Sequence, residues 1–392
     1  MRRLLILAGL TAIGPVSIDM YLPALPELAG DLSAGASLTQ LTVTACLVGL
    51  AAGQVLTGPI SDRRGRRGPL LVCTALYALA SLLCAAAPSV EVLVGARLAQ
   101  GVAGSAGIVI ARAVIRDLYE GAVAAKYFAL LMSVSALAPV LAPLAGGQLL
   151  HATSWRGIFA VIAALGVMLV VAVLLGVPET LPAEERHSGG VRETVRVFGR
   201  LAADRQFTGY ALCAGFAFAA MFAYIAGSPF VLQEAYGLSP QAFSLAFAAN
   251  GLGIVAAGQL SGRLAERVAP RALLRSGLAL SLTGAVSLLA VVLAGIGLAG
   301  VLPSLFLVVG SVGLILPNSA ALAMSGWPPA LAGRASALLG VLQFVIGGAV
   351  SPLVGVAGSD TAVPMAIVIA ALSTSAVLAY VSTATPNRSR FC

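Results

Sequence analysis

The amino-acid sequence predicts an all-α membrane protein: twelve transmembrane helices in two six-helix, pseudo-symmetric halves. Three observations carry that prediction. Hydrophobic residues make up 59% of the 392-residue chain and charged residues 10%, where a soluble globule carries about 25% charge. The apolar residues come in long runs, and about twenty residues at 1.5 Å each cover the roughly 30 Å hydrocarbon core. A dense basic loop, Gly58-Pro59-Ile60-Ser61-Asp62-Arg63-Arg64-Gly65-Arg66-Arg67, divides two such runs. A weaker copy, Gly262-Arg263-Leu264-Ala265-Glu266-Arg267, returns about half a chain later, the mark of an internal repeat.

The formal net charge of +8 does not imply nucleic acid, because no basic stripe is interleaved with aromatics. Assigning the basic loop to the cytoplasmic side places there all but two of the 23 Lys and Arg residues, Arg97 and Arg156. Of the five cysteines, Cys46, Cys73, Cys84 and Cys213 lie in apolar runs without CxxC spacing, and Cys392 ends the chain. Neither a metal site nor a disulfide framework is expected. Met1-Arg2-Arg3 followed by an apolar run imitates a secretory signal but lacks a small-x-small cleavage site, so it reads as an uncleaved first helix.

In order, span 1 covers about Leu4 to Leu25, span 2 Leu38 to Ile60, span 3 Pro69 to Ala87 and span 4 Val90 to Val114. Span 5 covers Tyr127 to Leu150 and span 6 Ile158 to Val177. Residues 1–177 form the N-terminal half. Residues 178–208, charged, with Gly189-Gly190 and a helix-compatible Val191 to Leu201, form a cytoplasmic linker, and residues 209–392 the C-terminal half. There, spans 7 and 8 cover Gly209 to Leu232 and Gln241 to Leu260. No charge occurs from Ser276 to Gly333, which as one helix would measure about 87 Å and must therefore fold as two spans. Their turn is expected within Gly295 to Pro303. After Gly326-Trp327-Pro328-Pro329 come span 11, Ala335 to Ala357, and span 12, Val363 to Ser382, leaving both termini cytoplasmic.

Asp19 is the one acid well inside an apolar span. Burying it without purpose costs about 3 kcal/mol or more. Pro23 removes the helical partner of the Asp19 carbonyl, so a titratable group and a distorted backbone coincide, as a proton or substrate site at a broken helix requires. The alternative is a carboxylate reaching outward, since Asp19 lies only about 9 Å from Leu25 along the axis. Arg97, about 10 Å inside span 4, lies at a similar depth. An ion pair between the two would offset the cost of burial, with Gln100 at i+3 on the same face. Arg97 could instead be a structural anchor on a backbone carbonyl. Pro139 and Pro143 free the carbonyls of Ser135 and Pro139, while Gly146 and Gly147 allow close helix approach, either in a bent sealing helix or in ordinary small-residue packing. Tyr21, Gln100, Tyr224, Asn250 and Gln343 are candidates for a substrate cavity, or else satisfied interhelical hydrogen bonds. His151 and His187 fall in loops and receive no proton role.

The loop 58–67 resembles the signature between the second and third helices of the major facilitator superfamily, with Ile60 where Leu is usual and Ser61 at a small position. Leu93 to Ala106, with Arg97, Gln100 and Gly101, is similar to the fourth-helix motif. Pro143-Leu144-Ala145-Gly146-Gly147 is similar to the fifth-helix motif of drug–proton antiporters, with Ala142 and Ala145 where glycine is common, and Pro178-Glu179-Thr180-Leu181 matches the end of the sixth helix. Ile18-Asp19-Met20-Tyr21-Leu22-Pro23-Ala24-Leu25-Pro26 and Tyr224-Ile225-Ala226-Gly227-Ser228-Pro229-Phe230 resemble the bicyclomycin/chloramphenicol (Bcr/CflA) branch of drug exporters. The resemblance implies an inner gate at Gly58, Asp62, Arg63, Gly65 and Arg66, with span 11 opposite. It implies proton coupling through Asp19 and Arg97, and proton-driven efflux of chloramphenicol or a related phenicol by alternating access in the cell membrane. The expected partners are a small-molecule drug, protons and the lipid bilayer. A monomer is expected, with no cofactor, metal or nucleic acid. An uptake permease of the same fold is the alternative. A membrane enzyme is disfavoured, because the external acids Glu27, Asp31, Glu91, Glu234 and Asp360 are scattered singly, without DxD or HExxH.

Overall fold

The computed structural model describes residues 2–186, 191–328, 331–355, 358 and 361–384. Met1, His187, Gly189, Gly190, Pro329, Ala357, Asp360 and Cys392, named above, lie outside the described residues. The described residues are predominantly helical: α1 (Arg2–Asp19), α2 (Leu25–Asp31), α3 (Ala36–Arg64), α4 (Arg67–Ala85), α5 (Val90–Leu118), α6 (Gly121–Leu149), α7 (Trp155–Gly176), α8 (Val191–Ala203), α9 (Arg205–Phe230), α10 (Pro240–Leu264), α11 (Pro270–Leu293), α12 (Leu298–Met324), α13 (Ala332–Val354) and α14 (Val363–Ala384). Among the described residues, 12 helical stretches are long and apolar enough to cross a membrane, with α1 and α2 together forming the first.

The side-chain pattern inverts that of a soluble helix. Helix α4 turns Val72, Leu76, Leu79 and Leu83 outward while burying Thr74, Tyr77, Ser81 and Cys84. Leucine faces outward because lipid is as apolar as leucine, leaving small and polar side chains to make the helix–helix contacts. Most spans run a few residues past the predicted bounds, since helices continue into the headgroup layer. As a result α5 runs beyond the predicted end of span 4 at Val114 and takes in Arg116 and Asp117. The turn in the uncharged stretch falls at Ala294–Gly297, where Gly295 and Gly297 adopt φ of 66° and 82°. Pro303, expected at its edge, sits within α12. Helix α1 ends at Asp19 and passes through a 3-10 turn, Leu22–Ala24, into α2, with Ala24 N donating to Tyr21 O (2.9 Å). This is the break that Pro23 requires.

Packing divides the chain into two compact units. One comprises Met1–Val191, Ala226–Ala248 and Gly355–Asp360, the other Arg192–Ile225, Ala249–Val354 and Thr361–Cys392. The backbones of α3 and α5 come together through glycine. A Cβ at Gly49 would collide with the Leu98 carbonyl oxygen, and one at Gly101 with that of Cys46. The second unit repeats the device where α12 crosses α10, since a Cβ at Gly313 would strike the Ile254 carbonyl.

Overpacking typically costs about 1–3 kcal/mol. Gly101→Val should therefore lower the melting temperature and yield of the detergent-purified protein. Gly95→Ala, where an added Cβ meets nothing within 4 Å, should leave both unchanged. Equal melting temperatures for the two variants would refute the close-packing account.

Candidate transport site

The polar centre of the first unit is built around Arg97, whose side chain is 0% exposed. Nη1 donates to Gln100 Oε1 (2.5 Å), one turn along α5, and Nε donates to the Thr42 carbonyl of α3 (3.4 Å). Tyr21, in the break between α1 and α2, lays its ring 4.4 Å from the guanidinium carbon, and Phe159 of α7 sits at 5.5 Å. Aromatic faces attract a desolvated cation. Among the described residues Nη2 has no hydrogen-bond partner.

A hydrogen-bonded frame runs from this cation back to α1. Gln100 Nε2 donates to Ser81 Oγ (2.8 Å), and Ser81 Oγ donates to the Tyr77 carbonyl (2.7 Å). Ser17 Oγ donates to Ile13 O, so the Tyr77 hydroxyl is the donor in its 2.6 Å bond with Ser17. On the other flank, Thr42 Oγ1 donates to Thr39 O and therefore accepts from the Tyr21 hydroxyl (3.0 Å). Ser17 and Tyr21 are thus fixed from α4 and α3, and Asp19 lies between them at the last residue of α1, 4% exposed. The expected ion pair is absent. Among the described residues no cation lies within 4.0 Å of Asp19, and Arg97 is held by Gln100, the Thr42 carbonyl and the aromatic rings instead.

Helix α6 touches the same break. A Cβ at Gly146 would collide with the Met20 carbonyl, and one at Gly147 with Ser244 Oγ, while Gln241 Nε2 donates to the Gly147 carbonyl (2.9 Å). The glycines therefore work as contact points, and Pro139 and Pro143 lie within α6 behind them. In the second unit Asn250 Nδ2 donates to the Tyr224 hydroxyl (2.8 Å), joining two candidates. Asn318, not singled out from the sequence, donates to Ser261 Oγ and Leu314 O (both 2.8 Å). Tyr21, Gln100, Tyr224 and Asn250 are all buried and engaged within the protein, and Gln343 is half-buried.

The loop 58–67 folds around Arg66, which is 3% exposed. Its guanidinium donates to Asp62 Oδ1 (2.5 Å), Asp117 Oδ2 (2.9 Å) and Ser61 Oγ (2.9 Å). Partial burial works against the Arg66 charge, but the bonds to Asp117 and Asp62 outweigh it and hold the group above its ordinary range. Gly65, at φ 87°, presses on Glu179, whose carboxylate accepts from the backbone N–H groups of Arg66 (2.7 Å), Arg67 (3.2 Å), Thr180 and Leu181 (both 3.0 Å). Thr180 Oγ1 donates to Asp117 (3.1 Å). Gly58 makes no close approach and Arg63 is exposed. At the opposite end, Glu27 and Asp31, expected to stand singly, both accept from the start of α7. Trp155 N donates to Glu27 (3.4 Å), while Trp155 Nε1 (3.0 Å) and Arg156 donate to Asp31.

A bundle of membrane-crossing helices with a buried carboxyl at a broken first helix and a sealed-in arginine beside it is the architecture of a membrane carrier. The model for the Major Facilitator Superfamily matches residues 7–352, and the chain belongs to that superfamily, in the branch of drug-resistance transporters. It is 45% identical over 92% of its length to an uncharacterized MFS-type transporter, YdgK, of Bacillus subtilis, 90% of which is covered. It is 30% identical over 96% of its length to a bicyclomycin resistance protein homolog of Haemophilus influenzae (94% covered). To a chloramphenicol resistance protein of Pseudomonas aeruginosa it is 32% identical over 72% (67% covered). Among solved structures, a bacterial homolog of the human lysosomal transporter Spinster superposes with a TM-score of 0.76 at 16% identity, covering 97% of this chain and 95% of that one. A D-xylose–proton symporter gives 0.74, also at 16% identity, covering 96% and 97%. These likenesses bear on the fold alone.

Burial works against the Glu179 carboxylate, but its four backbone donors prevail and hold its pKa below the usual 4.5. A carboxylate with a depressed folded-state pKa contributes stability above its unfolded pKa and loses it as pH falls through the folded value. The thermal stability advantage of the wild type over Glu179→Gln should therefore be constant above about pH 4.5 and shrink below it. An advantage that stays level down to pH 3 would refute this reading of the site.

Proposed function

We propose that this transporter exports a small amphipathic antibiotic, chloramphenicol or a related phenicol, in exchange for protons by alternating access. The observation that carries this reading is Asp19, a carboxyl buried at a helix break and framed by Ser17 and Tyr21, with an arginine beside it that bonds other acceptors. Because Arg97 bonds its own acceptors through Nη1 and Nε, Asp19 can gain or lose a proton without a direct bond to the cation being broken. The proton then changes the charge at the junction that α6 grips through Gly146, where a local event can move helices.

In this reading the basic-loop end faces the cytoplasm of the cell membrane, with both termini inside. The chain works as a monomer, with no catalytic chemistry and no cofactor beyond the proton gradient. Protons from outside load Asp19 and favour drug release, and loss of the proton inside restores drug binding. At about 200 mV, each proton supplies about 4.6 kcal/mol, enough for roughly a thousandfold gradient. The resistance proteins among the relatives support export, and a neutral drug suits a core whose single deep carboxyl is taken by the proton.

The test is uptake of labelled chloramphenicol into inverted vesicles energised with a pH gradient. Asp19→Asn should reduce accumulation to the level reached with a proton uncoupler, while Glu91→Gln, exposed in the first turn of α5, should leave it unchanged. Full coupling in Asp19→Asn would refute the assignment. Coupled transport of another drug with chloramphenicol excluded would refute only the choice of substrate.

A further inference from the structure

Boundary arginines occur both with and without a carboxylate partner, and among the described residues of the first unit Arg63 and Arg64 are exposed with no carboxylate paired to them. In the first unit, Arg66 and Arg156 are matched by carboxylates. In the second, Arg196, Arg200, Arg205 and Arg275 are exposed, and among the described residues no carboxylate pairs with any of them. Asp204, next in sequence to Arg205, is occupied in capping α9 through Phe207 N (2.7 Å).

Two of these arginines converge on the end of α14. Arg205 Nη2 donates to the Ser382 carbonyl (3.0 Å), and Arg275 Nε donates to the Tyr380 hydroxyl (2.8 Å). Helix α9 packs closely there, with Gly209 against Thr383 and the ring of Tyr210 6.4 Å from that of Tyr380. The two guanidiniums therefore flank one helix end, and among the described residues each donates one hydrogen bond, to a neutral partner. Their level in the membrane fixes what else can reach them. Arg205 is the first residue of its span, and Arg275 lies about 8 Å inside α11. At 24 residues, α11 is about 36 Å long against a roughly 30 Å hydrocarbon core, so its ends stand in the headgroup layer. Helix α8 adds to the field. It buries Val197 and Leu201 against the core of the second unit and leaves Arg196 and Arg200, one turn apart, exposed.

We propose that the α9–α11–α14 corner is a binding site for an anionic phospholipid, whose phosphate is gripped by Arg205 and Arg275. Guanidinium donors in a fixed fork match phosphate oxygens bidentately. A site whose two cations have no paired carboxylate among the described residues prefers a net negative headgroup to a zwitterion, as basic pockets between spans do for cardiolipin. The proposal needs only the membrane placement of the helices and is independent of what the protein transports.

The full-length protein, purified in a neutral detergent, would be titrated with cardiolipin, phosphatidylcholine or inorganic phosphate. Retained lipid would be counted by native mass spectrometry and stability followed by thermal melting. Cardiolipin should be retained and should raise the melting temperature, phosphatidylcholine much less, and inorganic phosphate not at all. Arg205→Gln/Arg275→Gln should weaken cardiolipin retention about thirtyfold, whereas Arg263→Gln/Arg267→Gln in the nearby loop should match the wild type. If the double variant does not fold, each single Gln variant should show about a fivefold loss. Equal retention of phosphatidylcholine, an equal response to inorganic phosphate, or undiminished cardiolipin binding in the Gln variants would overturn the proposal.

Discussion

A guanidinium sealed inside a membrane bundle has no water to fall back on, and the arrangement of the first unit follows from satisfying it. Arg97 needs acceptors from the protein, and the nearest backbone on offer is that of α3. A helix carbonyl already committed to its own ladder can take a second donor only if the neighbouring helix comes very close. Gly49 and Gly101 make that approach possible, and they flank the level at which Arg97 and Gln100 leave α5. Close packing and charge satisfaction are thus one solution. Without the glycines the Thr42 carbonyl would lie out of reach, and without the arginine the contact would be ordinary small-residue packing.

Tyr21 supplies the rest of the cation's surroundings, and it can do so only because α1 ends at Asp19. A continuous helix would carry residue 21 along the same cylinder. The 3-10 turn that Pro23 forces reorients it beneath the guanidinium, where its hydroxyl donates to Thr42. The break that exposes a titratable carboxyl therefore also builds part of the arginine's cradle. Gly146 of α6 rests on the Met20 carbonyl at the same point, so the features read separately in spans 1, 4 and 5 meet at one junction.

The sequence made the helices legible because apolar runs of membrane length leave few alternatives, and Asp19 and Arg97 stood out because charge inside such a run is costly. Their partners were not legible. Ser17, Tyr77 and Ser81 look like ordinary members of apolar helices, and their bonds depend on the rotational phase of three helices, which one sequence does not contain. The supposed Asp19–Arg97 pair fails for the same reason: equal depth along two axes fixes height and leaves direction open. In the basic loop, counting charges set the topology but hid the acceptors. Asp117, in the last turn of α5, and Glu179, beyond the end of α7, are far from residue 66 in sequence, and only folding places them as the anchors of Arg66 and of the loop's backbone.

The two charged centres of the first unit differ in a way that sorts their roles. Arg66 is tied to two carboxylates and the adjoining backbone is tied to a third, so shifting that loop means breaking several charge-assisted bonds together. Such a knot suits the part of a carrier that must move as one body. Asp19 has the opposite character. Its neighbours on both sides are pinned, its own carboxyl is not, and a proton added or removed there alters charge without dismantling the frame. A transporter needs both kinds of centre: rigid segments to transmit displacement and one group whose state can change cheaply. Charge density marks the first, and isolation within a hydrogen-bonded frame marks the second, so the sparsest charge in the unit is the one on which the proposed proton coupling rests.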